Sequence, residues 1–337
     1  MKKNRIVLCM VCILSMLTFC ACGKGDDQKS IVCTVFPEYD WTREVLGDQG
    51  KDIELTLLMD NGVDLHSYQP TAQDIAKIAN CDLFIYVGGE SDEWVEDALK
   101  ESNNPDMQVI NLLDTLGDAV REEEIVEGME GHDHEHEHED GDEHEHEDGD
   151  EHDHEHEGPE YDEHVWLSLR NASNLVDAIE SALAKIDSEN ASAYRENADA
   201  YKEKLAELDK KYTDMVSKSA RKTVLFGDRF PYRYLVDDYG LDYYAAFVGC
   251  SAESEASFET MAFLAKKVDE LQLPYVLINK GASDSIAKGI IQNTKDHNQT
   301  ILQMDGIHSM SKEDREAGKT YLSVMEDNLK ALTQALN

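Results

Sequence analysis

Basic residues are scarce in this chain of 337 residues: 31 Lys and Arg stand against 71 Asp and Glu, a formal net charge of -40. Such a balance excludes a nucleic-acid-binding surface and points to cations as partners. Residues 122 to 163 carry 23 of the acidic side chains and no basic one, so the remainder is only moderately acidic. Long apolar runs are also missing. The stretch from Ile6 to Phe19 falls short of the roughly 20 residues that span a bilayer. Cysteine is sparse where a disulfide framework would need it. Four of the seven lie before residue 23, leaving Cys33, Cys81 and Cys250, an odd and scattered set. Cys33 and Cys81 sit in β-like runs and read as small core residues. Outside the alternating histidine and acid segment at residues 132–156 no His-Glu-x-x-His string occurs, and no nucleophile motif supports a metal-dependent hydrolase with its open coordination position and general base.

What the chain has in abundance is histidine between Gly131 and Gly158. His132, His134, His136, His138, His144, His146, His152, His154 and His156 alternate with carboxylates, and the unit His-Glu-His-Glu-Asp-Gly-Asp-Glu occurs twice, from His136 and from His144. With no apolar residue to bury, the tract cannot repay the entropy of ordering, and about residues 121–160 are expected to form a disordered loop. Plain solubility has no use for regularly spaced imidazoles. Neutral imidazole suits zinc, copper and nickel, so the tract reads as a collector of many weak metal sites.

The N-terminus combines Lys2, Lys3 and Arg5 with the short apolar stretch and then Ala21-Cys22-Gly23. This pattern reads as a secretory signal over residues 1–21. Ala21-Cys22 resembles a bacterial lipobox, with Cys22 as the acylated first residue of the mature protein, although Phe19 stands where Leu is usual. Residues 22–29 then read as a flexible tether holding the body at the outer face of a bacterial cell membrane.

Beyond the tether, β-branched and aromatic runs alternate with helical patterns. The runs are Ile31 to Phe36, Ile53 to Met59, Cys81 to Val87 and Val109 to Leu112, then Thr223 to Phe226, Tyr243 to Phe247, Tyr275 to Ile278 and Ile301 to Met304. Helices are expected near Tyr39 to Leu46, Thr71 to Asn80 and Glu93 to Lys100 in the first half. In the second they are expected near Pro231 to Tyr239, Ser257 to Leu271, Ser285 to Asp296 and Lys319 to Leu336. The expected fold class is α/β, with two β/α lobes, 30–165 and 220–337, each on a parallel sheet. Between them, residues 166–219 form a helical linker: Asn171 to Ser219 holds no Gly or Pro, and Ser188-Glu189-Asn190 divides it, leaving a long rigid second helix. Ligands of open α/β sheets sit beyond the strand ends.

Two of the four histidines outside the tract lie in such places. His66 follows the second run, in Asp64-Leu65-His66-Ser67-Tyr68-Gln69-Pro70, and His164 follows the tract, in Asp162-Glu163-His164-Val165-Trp166-Leu167. A closed site of nitrogen and oxygen donors needs such residues. These two motifs, in this order around a His-rich acidic loop, with Thr320-Tyr321-Leu322-Ser323 and Asn328-Leu329 near the end, carry a resemblance. The chain is similar over essentially its whole length to the solute-binding lipoproteins of zinc and manganese ABC importers, the loop being typical of the zinc branch.

The resemblance implies two lobes joined by the long helix, one ion in the cleft between them, delivery to an ABC permease, and no catalysis. His66 and His164 match ligand positions directly. The third ligand, a His or Glu, lies at the start of Gly227-Asp228-Arg229-Phe230-Pro231-Tyr232, where the aromatics align Gly227 with it. Asp228 replaces that ligand by a one-residue shift, or a water does, or Asp228 pairs with Arg229 or Arg233 and never meets metal. The fourth position falls on Asp305, with His308 able to replace or accompany it. Glu253 and Glu255 match a supporting segment, and Cys250 is either a soft ligand or a buried thiol. Two imidazoles and one or two carboxylates around a dication suit Zn(2+) better than Mn(2+), the second candidate. Because imidazoles ligate when neutral, affinity is expected to fall below about pH 6 to 6.5. The competing reading is an extracellular metal buffer or adhesin whose tract is the main metal-binding element.

Overall fold

The computed structural model describes residues 28–60, 62–130, 160–251 and 255–337. Cys22, the nine tract histidines and Glu253 lie outside them. The first lobe carries β1 (Ser30–Cys33), β2 (Glu54–Leu57), β3 (Leu83–Tyr86) and β4 (Gln108–Asn111), and the second β5 (Thr223–Phe230), β6 (Asp242–Val248), β7 (Tyr275–Asn279) and β8 (Thr300–Met304). Each set forms one parallel sheet, in the orders β2-β1-β3-β4 and β6-β5-β7-β8. Parallel pairing needs crossovers that cover both faces, which is why the inner strands read as unbroken apolar runs. In both sheets the chain reverses direction of travel between the first strand and the third, and that switch point opens a crevice at the strand ends.

Crossover helices of the first lobe are α1 (Phe36–Leu46), α2 (Ala72–Asn80), α3 (Trp94–Lys100) and the single turn α4 (Leu112–Leu116). Thr71 closes a capping box on α2 with Asp74, as its sequence suggests. The linker is α5 (Leu169–Ile186), a turn over Ser188–Asn190, and α6 (Ala191–Lys218), a helix of 28 residues, about 42 Å at the usual rise. Tyr194, Ala198, Tyr201, Leu205, Leu208, Tyr212 and Val216 form its buried stripe. Near its start Asn197 Nδ2 donates to Val45 O of α1 at 3.0 Å. Near its end the Tyr212 hydroxyl donates to Met325 O at 2.6 Å, in the C-terminal helix of the second lobe. The helix therefore touches both lobes. The second lobe adds α7 (Arg233–Tyr239), α8 (Phe258–Leu271), α9 (Ser285–Asn293), α10 (Lys312–Glu316) and α11 (Tyr321–Leu336).

One apolar core runs from β1 through α5 and α6 to α11, and a satellite lies under α8 and α9. Its keystone is Trp166, whose Nε1–H donates to Gly306 O at 2.8 Å and whose carbonyl accepts from the Tyr321 hydroxyl at 2.6 Å. The Tyr321 ring in turn meets Trp41 edge-on at 5.1 Å.

Two expectations are corrected. β5 runs on to Phe230 instead of ending at Phe226, because Arg229 and Phe230 keep pairing with Phe247 and Val248 of β6 past a register shift. Residues 121–130, expected to belong to a disordered loop of the first lobe, form an arm laid on the second. Arg121 N–H donates to the Tyr234 hydroxyl, Glu130 N–H donates to Ala246 O at 2.9 Å, and Met129 is buried. The unpaired side of β6 accounts for this: an edge strand offers backbone partners that the arm takes up.

Asp40 joins the lobes at a cost. Its buried carboxylate accepts from Tyr321 N–H at 2.8 Å and pairs with Arg43 at 2.6 Å, yet burial pushes its pKa up to about 6 against those two opposing contacts. The folded pKa then exceeds the unfolded one, so this group's stabilising contribution is complete below about pH 4 and lost as pH rises through 6. Relative to Asp40→Asn, the wild type should lose about 2–3 kcal/mol between pH 4 and 7 in denaturant titrations. An opposite slope would show that the Arg43 pair outweighs desolvation.

Candidate metal centre

The same short device positions both histidines. Asp64 precedes His66 by two residues and accepts its backbone N–H at 3.2 Å, opening the turn Leu65–Ser67. Asp162 stands two before His164 and accepts its N–H at 2.8 Å. An Asp side chain folding back on the backbone two residues later is a local turn, and it fixes the direction of each imidazole. Buried Leu65 and Val165 beside them hold the turns against the core.

The two rings meet with Nε2 facing Nε2 at 3.2 Å. His164 turns Nδ1 to Asp162 Oδ1 at 3.0 Å, and His66 turns Nδ1 to Ser91 Oγ at 2.9 Å, with Glu163 Oε2 3.5 Å away. The outer nitrogens are thus engaged by a carboxylate and a hydroxyl, and the inner ones share a point. This is how metal-ligating imidazoles are oriented.

Burial, then the neighbouring His164, holds His66 well below the ordinary imidazole range, and burial, then His308, does the same for His164. The rings are therefore neutral and competent to ligate in water near neutrality, and the onset of protonation expected near pH 6 to 6.5 moves to lower pH. Burial also raises Asp162 to about 7, against the pull of His164 N–H and Arg233, and Glu163 to about 8, against its hydrogen bond from Ser91.

The other residues singled out from sequence fall into place unevenly. Asp228 is committed elsewhere: Oδ2 accepts from Asn279 N–H at 2.9 Å and from Asn279 Nδ2 at 3.0 Å, and Oδ1 from Arg229 N–H at 2.8 Å. It ties β5 to β7 at the switch point. The structure does not bring it to the histidines. Nor does Gly227 face them, since a Cβ there would lie 2.8 Å from the Ala287 Cα of α9. Arg229 is the residue of this motif that reaches the site, with Nη2 3.0 Å from Asp64 Oδ2 and Nη1 donating to Ser251 O at 3.2 Å. Asp305 pairs with Lys280 at 3.1 Å and accepts Ile307 N–H at 3.0 Å. It shapes the loop that carries His308, whose ring lies 5.6 Å from that of His164.

Among the described residues, one group of three metal-ligating types has donor atoms within 4.8 Å of one another: His66, His164 and Cys250. Sequence reasoning ranked Cys250 below the two aspartates and overlooked Asp64, Ser91 and Arg229. The Asp-x-His spacing, present twice outside the tract, was the available signal for Asp64.

The comparisons with known proteins agree with this architecture. A family model described as the periplasmic component A of the zinc-uptake complex matches residues 31–335. The zinc-binding lipoprotein AdcA of Streptococcus pneumoniae is 30% identical over 99% of this chain and 61% of its own length; the chain thus spans about three fifths of that relative. The high-affinity zinc uptake system protein ZnuA of Bacillus subtilis is 29% identical over 93% of this chain and 89% of its own. The Zn(II)-bound ZnuA-like domain of S. pneumoniae AdcA superposes with a TM-score of 0.68 at 29% identity, covering 92% of this chain and 99% of that domain. With a family match that takes in both sheets, the linker and both histidine turns, the chain belongs to the ZnuA family of zinc-uptake components.

Proposed function

We propose that this protein is an extracytoplasmic solute-binding lipoprotein that captures a divalent ion, zinc ahead of manganese, and hands it to an ABC import permease. The observation that carries the reading is the pair of buried imidazoles with Nε2 atoms 3.2 Å apart. Two zinc–nitrogen bonds of about 2.0–2.1 Å at a tetrahedral angle place their donors roughly 3.3 Å apart. An ion can therefore replace the hydrogen bond between the rings with little movement. His66 and His164 are the ligands in this reading, while Asp228 and Asp305 brace the walls and His308 stands at the second lobe's rim. Zinc-binding relatives that share the fold at 29–30% identity support zinc as cargo. Family membership supports a carrier over an enzyme. Cys22 would tether the protein to the membrane, in keeping with a relative named as a lipoprotein.

The tract serves as an antenna. Its described stems, Glu130 on Ala246 and Glu160 on Glu123, lie against the second lobe, a few residues from Asp162 and His164. Ions gathered there are released next to the cleft.

Zinc titration against a competing chelator should show one tight site and several weak ones in the wild type. The His66→Ala, His164→Ala double variant should lose only the tight one. A double variant that keeps its tight site would move the function into the tract and favour the buffer reading. Asp162→Ala should weaken the tight site about 10–100-fold in the same assay, whereas Asp162→Asn, which still accepts from His164, should retain most of the affinity.

A further inference from the structure

The second lobe brings to the imidazole pair one donor that the family resemblance does not require. Cys250 follows β6, and its Sγ lies within 4.8 Å of donor atoms of His66 and His164. Gly249 makes this approach feasible. A Cβ there would stand 3.1 Å from His164 Cε1 and 3.0 Å from Phe230 O, so a side chain would push the strand end off the ring. The remaining cysteines of the body behave differently: buried Cys33 sits beside Thr42 Oγ1, and Cys81 donates to Ile78 O at 3.2 Å.

Cys250 stands between an acidic side and the Arg229 guanidinium, which donates to the neighbouring Ser251 O at 3.2 Å. Glu123 accepts the Cys250 backbone N–H at 3.2 Å. Burial, followed by Asp162, Glu163 and Glu123, pushes the thiol well above its ordinary range. A dication bound by the two imidazoles supplies positive charge and converts an inert thiol into a ligand, as metals do when they displace a thiol proton.

The geometry points to Cys250 Sγ as the third protein ligand of the captured ion, in the role that Asp228 and Asp305 leave unfilled. The inference rests on the metal-capture reading and sharpens it. On binding, the S–H bond breaks as the sulfur–metal bond forms, and the proton passes to the Glu123 carboxylate and on to water. Two imidazoles and a thiolate select borderline and soft dications, zinc and cadmium, over manganese, which prefers oxygen. The resemblance to manganese and zinc carriers alike would then resolve, in this chain, toward zinc.

Cobalt(II) tests this on the full chain. One equivalent of Co(II), under reducing and oxygen-free conditions, should give the intense near-ultraviolet charge-transfer absorption of a cobalt–thiolate bond. The tract contains no cysteine, so cobalt held there is silent in this band. Cys250→Ser should abolish the band and lower zinc affinity about tenfold or more, with cadmium affected further and manganese little changed. Tight cobalt binding without the band in the wild type would overturn Cys250 as a ligand and leave metal capture standing. Absence of any tight site would overturn both. With Cys9, Cys12, Cys20 and Cys22 replaced by Ser, the spectrum of the chain that retains Cys250 decides between these outcomes even if Cys250→Ser folds poorly.

Discussion

Everything at the cleft depends on holding two imidazole nitrogens 3.2 Å apart inside protein. Two protonated rings cannot occupy that distance, and two unprotonated Nε2 atoms would set lone pair against lone pair. The arrangement needs one N–H and one lone pair, and the neighbours supply the bias. Asp162 facing His164 Nδ1 draws the proton to that side and leaves His164 Nε2 as the acceptor; His66 then donates from Nε2 and accepts from Ser91 at Nδ1. On the proposed capture of a dication, the ion would take both inner lone pairs, and the His66 proton would move outward toward Ser91 and Glu163. The hydrogen bond between the rings holds the place of the ion.

The cost of that readiness is spread through the first lobe. Glu163 Oε2 is buried and makes no hydrogen bond among the described residues, an expense of about 1–3 kcal/mol. Asp162 and Glu163 are pushed toward their neutral forms by burial. A fold can carry such a debt because its core is large and continuous, running through Trp166, which sits two residues beyond His164 and is locked to Gly306 and Tyr321 of the second lobe. Ion binding returns charge to a place built around its absence. The same Trp166 contacts connect the histidine turn to both lobes.

The fold was largely legible because its signals are local. All eight β runs and the divided linker could be read from apolar runs, N-cap residues and the absence of Gly and Pro, and errors fell at ends such as Phe230. His66 and His164 were legible for the same reason, each lying in a short motif that makes its own turn. The second lobe's contribution was not. Asp228 and Asp305 have the right residue type, one after the expected end of β5 and one after β8, but which way each side chain points depends on pairing with Asn279 and Lys280, 51 and 25 residues away in sequence. Cys250 becomes visible only when β6 lies against His164, a contact permitted by a glycine. The arm over residues 121–130 was hidden by composition: its acidity resembles the tract it introduces, while the partners that order it, Tyr234 and Ala246, belong to the other lobe.

Arg229 gives the clearest view of how the site balances charge. It stands in the motif where a ligand was sought, and a fixed cation beside an intended dication looks self-defeating. Its guanidinium, however, is matched: Nη2 pairs with Asp64 at 3.0 Å and Nη1 is taken up by Ser251 O. What remains of its field falls on the imidazoles, where it is among the influences that depress His66, His164 and His308, after burial. Arg229 thus helps keep the rings in their neutral form. By anchoring Asp64 it also holds the turn that aims His66, linking β5 of the second lobe to the first-lobe ligand. A residue that ligates nothing can therefore keep the ligands neutral, aimed and joined across the cleft.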